Sequence, residues 1–229
     1  MSPQPDPADL PPQPPYRGRE PMFNLPRGTL WLTLAIVAVF GLQNALEGAS
    51  WRWLFTTFAF ISQVFWPPGA DAPTAQGLMT LVSYAFLHAD FMHLALNLGF
   101  LLAFGSFVER QLGLVRYLLL FALTAAAGAL TEFYFAGPQP VALIGASGAV
   151  YGMTGAAMRF MFAGGGSDQR RRALIFVLVF LGLNLVFGMT GLADFLAGAS
   201  VGWKAHAGGF VAGALLSFLL GPPRRIQMP

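Results

Sequence analysis

The sequence predicts an all-α polytopic membrane protein with six transmembrane helices and both termini on the cytoplasmic side. Three observations carry that expectation. Of the 229 residues, 55% are hydrophobic and only 10% are charged, far from the ~45–50% apolar and ~25% charged of a soluble domain. Several apolar runs approach the ~20 residues a helix needs to cross a bilayer. The basic residues gather at alternate ends of those runs, the bias that orients membrane helices. The length suits one domain, and the absence of cysteine excludes disulfides and zinc–thiolate sites.

Residues 1–27 carry nine prolines among polar residues. Such a segment buries too little apolar surface to fold, so it reads as a disordered cytoplasmic tail, and no cleavable signal peptide is expected. The membrane domain is expected over 28–221. Its first span runs from about Thr29 to Leu46, with Trp31 as an interfacial anchor. Residues 47–79 form an outer loop. Within it, 51–66 is apolar but short, with Trp51, Trp53 and Trp66 at its ends, which suits a segment lying in the interface rather than crossing it. The second span starts near Phe86 or His88 and ends around Phe107. The third runs from about Leu114 to Phe135, the fourth from Ser147 to Phe162, the fifth from Ala173 to Met189 and the sixth from His206 to Leu220. A short basic tail, 222–229, follows.

Six spans with the N-terminus inside place Arg17, Arg19, Arg27, Arg110, Arg116, Arg159, Arg170, Arg171, Arg172, Arg224 and Arg225 at or near the cytoplasmic face, leaving Arg52 and Lys204 outside. If 51–66 crossed the bilayer, everything after it would invert and the arginine triplet would lie outside, against the positive-inside bias.

The second, fourth and sixth helices then share a direction, and their outer ends carry His88, His93 and Asn97, then Ser147, then His206. All three histidines of the chain fall in the leaflet that holds Ser147. Polar groups are expensive in a membrane and are functional candidates for that reason. A serine hydroxyl is a weak nucleophile until a base takes its proton, and histidine is the usual base near neutral pH. Gly209 and Gly213 follow His206 at helical spacing, and Gly148, Gly152 and Ala156 make a matching smooth face, so the two helices can approach closely and bring Ser147 and His206 together.

Acyl transfer also needs donors for the developing oxyanion. Ser147 at a helix start offers its backbone N–H, Asn97 its side-chain amide, and His93, four residues before Asn97 on the same face, its ring. Tyr151, one turn beyond Ser147, can pack on the imidazole of His206. No Asp or Glu is obviously placed to hold that histidine. Asp90 and Asp194 read as solvated loop residues, and Glu132 stays open. His88 is expected to face away from His93 and to bond loop backbone. Blander readings remain beside these: Gly145-Ala146-Ser147-Gly148 as a helix-packing motif, His206 as an interfacial histidine beside Lys204, and His93 with Asn97 as an interhelical hydrogen-bond pair.

Taken together, His88-x4-His93-x3-Asn97, Gly105 with Glu109 and Gly113, Gly145-Ala146-Ser147-Gly148 with Tyr151, and Ala205-His206-x2-Gly209-x3-Gly213 resemble the rhomboid intramembrane serine proteases. The likeness extends from about Thr80 to the sixth span. It departs at Met79 and Thr80, where some bacterial members carry Trp-Arg. The resemblance implies a rhomboid-like bundle in which Ser147 is the nucleophile and His206 the base of a dyad. His93, Asn97 and the Ser147 amide would form the oxyanion hole, and Tyr151, His88, Gly145, Gly148, Gly209 and Gly213 would support it. It also implies cleavage of transmembrane segments of single-span or polytopic membrane proteins near the outer face. No metal, cofactor or nucleic acid is expected. The lipid bilayer is the medium, and a bacterial inner membrane with the site open to the periplasmic side is the expected location. The alternatives are a non-catalytic rhomboid-like protein that binds transmembrane clients, a transporter or channel, and an ordinary structural membrane protein; the sequence lacks the broken helices or internal repeats common in transporters, and a structural protein needs no serine, asparagine and three histidines at one depth.

Overall fold

The computed structural model describes residues 25–164, 166–190 and 202–221. The expected N-terminal tail up to residue 24, the loop with Asp194, the cap following residue 190 and the basic C-terminal tail lie outside the described residues. Helix α1 is Arg27–Ala45. The outer segment is more ordered than a plain loop. It contains helix α2 (Gly48–Phe58), strand β1 (Phe60–Ile61), the single turn α3 (Ser62–Phe65) and helix α4 (Ala75–Ser83), which tightens into a 3-10 turn at Tyr84–Phe86. At 11 residues, α2 is ~16 Å long, about half a bilayer core. Thr74 caps α4 by accepting from the Gly77 N–H at 2.9 Å and donates to the Val64 carbonyl at 2.7 Å.

Helix α5 spans Phe91–Leu112 and contains a π-helical stretch at Leu101–Gly105. It begins three residues later than the latest start read from the sequence, because Asp90 caps it by accepting from the His93 N–H at 2.8 Å. Asp90 is therefore a helix cap and not merely a solvated loop residue. Gly113, at φ 80°, turns the chain into α6 (Leu114–Ala136). Strand β2 (Ala142–Leu143) pairs antiparallel with β1, Phe60 opposite Leu143 and Ile61 opposite Ala142. Helices α7 (Ser147–Gly164), α8 (Ser167–Thr190) and α9 (Trp203–Leu220) complete the bundle. The fifth helix thus starts before its expected position and takes in the arginine triplet, while the sixth starts three residues before His206.

Among the described residues four helices, α1, α5, α6 and α9, are long and apolar enough to cross a membrane. The distribution of side chains is that of a protein turned toward lipid. Val115, Leu215 and Leu219 are exposed, whereas Thr124, Thr154 and Ser217 are fully buried. Hydrocarbon offers no partner to a polar group, and these three hydroxyls are satisfied within their own helices: Thr124 donates to the Leu120 carbonyl at 2.7 Å, Thr154 to the Val150 carbonyl at 2.9 Å and Ser217 to the Ala214 carbonyl at 2.7 Å.

The start of α1 poses the same problem, since the first N–H groups of a helix have no partner within it. Buried Glu109 of α5 solves it. Its carboxylate accepts from the Gly28 N–H and the Thr29 N–H at 2.7 Å each, and from the Thr29 hydroxyl at 2.9 Å. The same hydroxyl meets the Tyr117 hydroxyl at 3.2 Å, and Tyr117 packs against Gly105, where a Cβ would lie 2.8 Å from the phenol oxygen. Glu109→Ala leaves three donors without an acceptor. Hydrogen bonds to a charged group contribute ~1.5–3 kcal/mol each, so thermal denaturation in detergent is expected to show a loss of at least about 3 kcal/mol. A melting curve like the wild type's would refute the capping role.

Candidate active site

The loop into α7 is built to present one serine. Gly145 sits at φ 112°, a conformation L side chains rarely adopt. A Cβ there would also run into the His93 ring, 2.5 Å from Cε1 and 2.6 Å from Nε2. The loop is tied down on both sides of Gly145. The Gly145 N–H donates to the Tyr84 carbonyl at 3.0 Å, and the Ala146 N–H donates to His88 Nε2 at 3.4 Å. Upstream, the Val141 N–H donates to the Ser62 hydroxyl and the Ser62 N–H returns a bond to the Val141 carbonyl, extending the β1–β2 pairing. Ser147 opens α7, so its own N–H is one of the unpaired donors of a helix start, at the positive end of the helix dipole.

Glycine brings the partner helix to that serine. A Cβ on Gly209 would overlap the Gly148 carbonyl, one on Gly213 the Gly152 carbonyl, and one on Gly155 the Phe210 carbonyl. The backbones of α7 and α9 touch along this seam, as the two smooth faces predict. Ser147 Oγ and His206 Nε2 lie 2.8 Å apart as a result. Tyr151 stacks on the His206 imidazole, centroids 4.3 Å apart and planes 10° from parallel. On the other face of Tyr151 lies Phe180 of α8, at 4.5 Å and 30°.

His93 and Asn97 occupy adjacent turns of α5. The Asn97 amide donates to the His93 carbonyl at 2.8 Å, which uses one of its two N–H groups and leaves the other. The Ala89 N–H approaches His93 Nδ1 at 3.4 Å, a contact that leaves the Nε2 position to carry the proton. One expectation is corrected. His88 does not face away from His93: the two rings are 5.1 Å apart. A five-residue spacing would turn the two side chains apart only along one continuous helix, and His88 precedes the Asp90 cap and lies outside α5. Its contact with the loop backbone, through the Ala146 N–H, is of the expected kind.

Two residues left open or unnoticed in the sequence belong to the surroundings of His206. Glu132 of α6 accepts from the Ala205 N–H at 3.0 Å, with the Lys204 ammonium 3.9 Å from its other oxygen. It serves the start of α9 as Glu109 serves α1, and so fixes the helix end that carries His206. Asn184 of α8 places Oδ1 2.8 Å from His206 Nδ1. Its signal in the sequence was a single amide inside the apolar run 173–189, where a polar side chain marks itself by its cost. Among the described residues no group of three or more His, Cys, Asp and Glu side chains is arranged to hold a metal ion.

A family model described as the Rhomboid domain matches residues 75–223, well over half of the chain. The chain belongs to the rhomboid family. It is 32% identical over 142 residues to RHOMBOID-like protein 4 of Arabidopsis thaliana, covering 61% of this chain and 33% of that one. It is 29% identical over 172 residues to the putative rhomboid protease YdcA of Bacillus subtilis, covering 73% and 81%. With the rhomboid protease GlpG of Haemophilus influenzae the identity is 27% over 144 residues, covering 60% and 67%. The chain spans less than half the length of the Arabidopsis relatives it matches. Membership makes it a membrane-embedded protein, in keeping with its apolar helices.

The glycine seam is testable by size alone. Gly209→Val puts a branched side chain where the Gly148 carbonyl lies. Overpacking of this kind costs about 1–3 kcal/mol or more and parts Ser147 from His206. The melting temperature in detergent is expected to fall accordingly. A wild-type melting curve in Gly209→Val would show that the two backbones do not meet along this seam.

Proposed function

We propose that this rhomboid-family protein is an intramembrane serine endopeptidase that cleaves transmembrane segments of other membrane proteins through a Ser147–His206 dyad. The observation that carries this reading is the 2.8 Å contact between Ser147 Oγ and His206 Nε2 across the α7–α9 seam, in a chain whose relatives include proteins named rhomboid proteases. The six long helices α1, α5, α6, α7, α8 and α9 would each cross the bilayer, with both termini cytoplasmic and the arginines inside. The ends of α5, α7 and α9 that bear the site then face the outer side, which in a bacterium is the periplasm, where water can reach the acyl intermediate.

The chemistry follows from the geometry. His206 Nε2 takes the hydroxyl proton as Ser147 Oγ attacks the scissile carbonyl, and the new C–O bond pushes the carbonyl electrons onto oxygen. The Ser147 N–H, the free amide hydrogen of Asn97 and the His93 ring supply donors to that oxyanion, fixed before the reaction begins. Collapse of the tetrahedral adduct breaks the C–N bond, and the imidazolium returns its proton to the leaving amine. Water then repeats the sequence on the acyl-enzyme, His206 again acting as base. Tyr151 holds the ring plane, while His88, Gly145 and Gly148 hold the loop and seam that aim Ser147. A peptide bond must be exposed to be attacked, so segments with small residues that leave the helical state readily are the favoured substrates.

Reconstituted protein with a single-span reporter tests this directly. Cleavage is expected to disappear in Ser147→Ala and His206→Ala, and cleavage persisting in either would exclude the dyad. Asn97→Ala is expected to lower the rate about 10²–10³-fold, as loss of one oxyanion donor does elsewhere. A loss accompanied by unfolding would instead mark Asn97 as a packing residue.

A further inference from the structure

We infer that Asn184 is a positioning residue that holds His206 in the tautomer protonated at Nδ1, so that the site works as a chain of three side chains, Ser147, His206 and Asn184. The inference rests on the dyad reading and adds what the dyad lacks, a reason for the base to point its lone pair at the serine. An imidazole at neutral pH has two tautomers, and only the one with an unprotonated Nε2 can accept the proton of Ser147. No carboxylate was legible in the sequence to make that choice.

The hydrogen-bond pattern makes it. The oxygen and nitrogen of an amide side chain are told apart by their partners. The Trp203 backbone carbonyl, an acceptor with no proton to give, lies 3.2 Å from the nitrogen of Asn184. The amide must therefore turn its NH2 toward Trp203 and its Oδ1 toward His206, where Oδ1 and Nδ1 are 2.8 Å apart. Oδ1 has no proton to donate, so Nδ1 must carry one. Nε2 is then a lone pair, 2.8 Å from Ser147 Oγ. The series runs in one sense: the serine O–H donates to Nε2, the Nδ1–H donates to Oδ1, and the amide N–H donates to the Trp203 carbonyl. Trp203 and His206 belong to the same first turn of α9, so Asn184 bonds both the base and the backbone that carries it.

A second contact from the same helix supports the assignment. Phe180 lies one turn before Asn184 and stacks on Tyr151, which stacks on His206. Helix α8 thus acts on the imidazole twice, on its plane through the two rings and on its proton through the amide. An amide also suits a low-dielectric site: it orients the base without the desolvation that a second buried charge would cost. A neutral Asn holding a catalytic His is known chemistry in cysteine proteases of the papain type.

The test uses the full chain in detergent, with histidine labelled by 15N and the His206 resonances assigned from their loss in His206→Ala. The wild type is expected to show a protonated Nδ1 and an unprotonated Nε2. In Asn184→Leu, close in shape but without an acceptor, His206 is expected to populate the other tautomer. Its kcat is expected to fall about 10–100-fold, as loss of the outer partner of a metal-bound histidine does, with little change in KM. Asn184→Asp keeps the acceptor and is expected to recover most of the lost rate. A wild-type His206 protonated at Nε2 overturns the inference whatever the variants do. So does an Asn184→Leu protein whose tautomer is unchanged, whether or not its rate falls. If Asn184→Leu does not fold, the wild-type tautomer and the Asn184→Asp rate decide. A wild type that leaves the reporter intact would refute the dyad reading instead, since the tautomer is read on the resting protein.

Discussion

Backbone meets backbone where Gly209 and Gly213 of α9 face the carbonyls of Gly148 and Gly152 of α7. That approach sets the distance at which two side chains 59 residues apart share a hydrogen bond. In lipid there is little hydrophobic force to press helices together, so contact at this range has to come from the absence of side chains. Everything else around Ser147 refines a geometry that the seam has already fixed. Tyr151 sets a plane, Gly145 makes room for His93, and Glu132 secures the end of the helix from which His206 projects.

Much of this was legible in the sequence, for physical reasons. Glycines at helical spacing predict close faces, and Ser147, His93 and His206 meet at one end of the bundle, as their places at the ends of three helices predict. Asn184 was not legible. Nothing in its neighbourhood predicts which way α8 turns, and its contact with His206 is a matter of how two helices pack. His88 was misread through a helix boundary. It precedes the helix that Asp90 starts, although an Asp three residues ahead of His93 is itself a cap signal. Glu132 remained open because an acid near a helix end has many uses, and only the fold shows that the Ala205 N–H is within its reach. The segment after α1 reads as too short to cross, and its longest helix has 11 residues; its strand pairing, Phe60 with Leu143 and Ile61 with Ala142, was not legible, because a two-residue strand leaves no periodic trace.

The loop ahead of Ser147 draws its rigidity from outside the bundle. It is held by the β1–β2 pairing, the exchange between Ser62 and Val141, and the Tyr84 carbonyl. Tyr84 also donates its hydroxyl to the Ala125 carbonyl of α6 at 2.9 Å, so one residue connects the outer segment, the serine loop and the bundle. Two carboxylates perform the same service at opposite ends of the protein, each receiving the orphan N–H groups of a helix start, Glu109 for α1 and Glu132 for α9.

The π stretch at Leu101–Gly105 divides the work of α5. Before it lie His93 and Asn97; after it lies Glu109, turned to α1. A π turn accommodates one residue more than an α turn, and each residue of an α-helix advances the azimuth by ~100°. The two ends of α5 therefore stand in different phase, and each is matched to its own neighbours. A single rigid α-helical repeat would have to satisfy both ends with one rotational setting. With the phase reset between them, the helix can be anchored at one end and aimed at the other as independent choices.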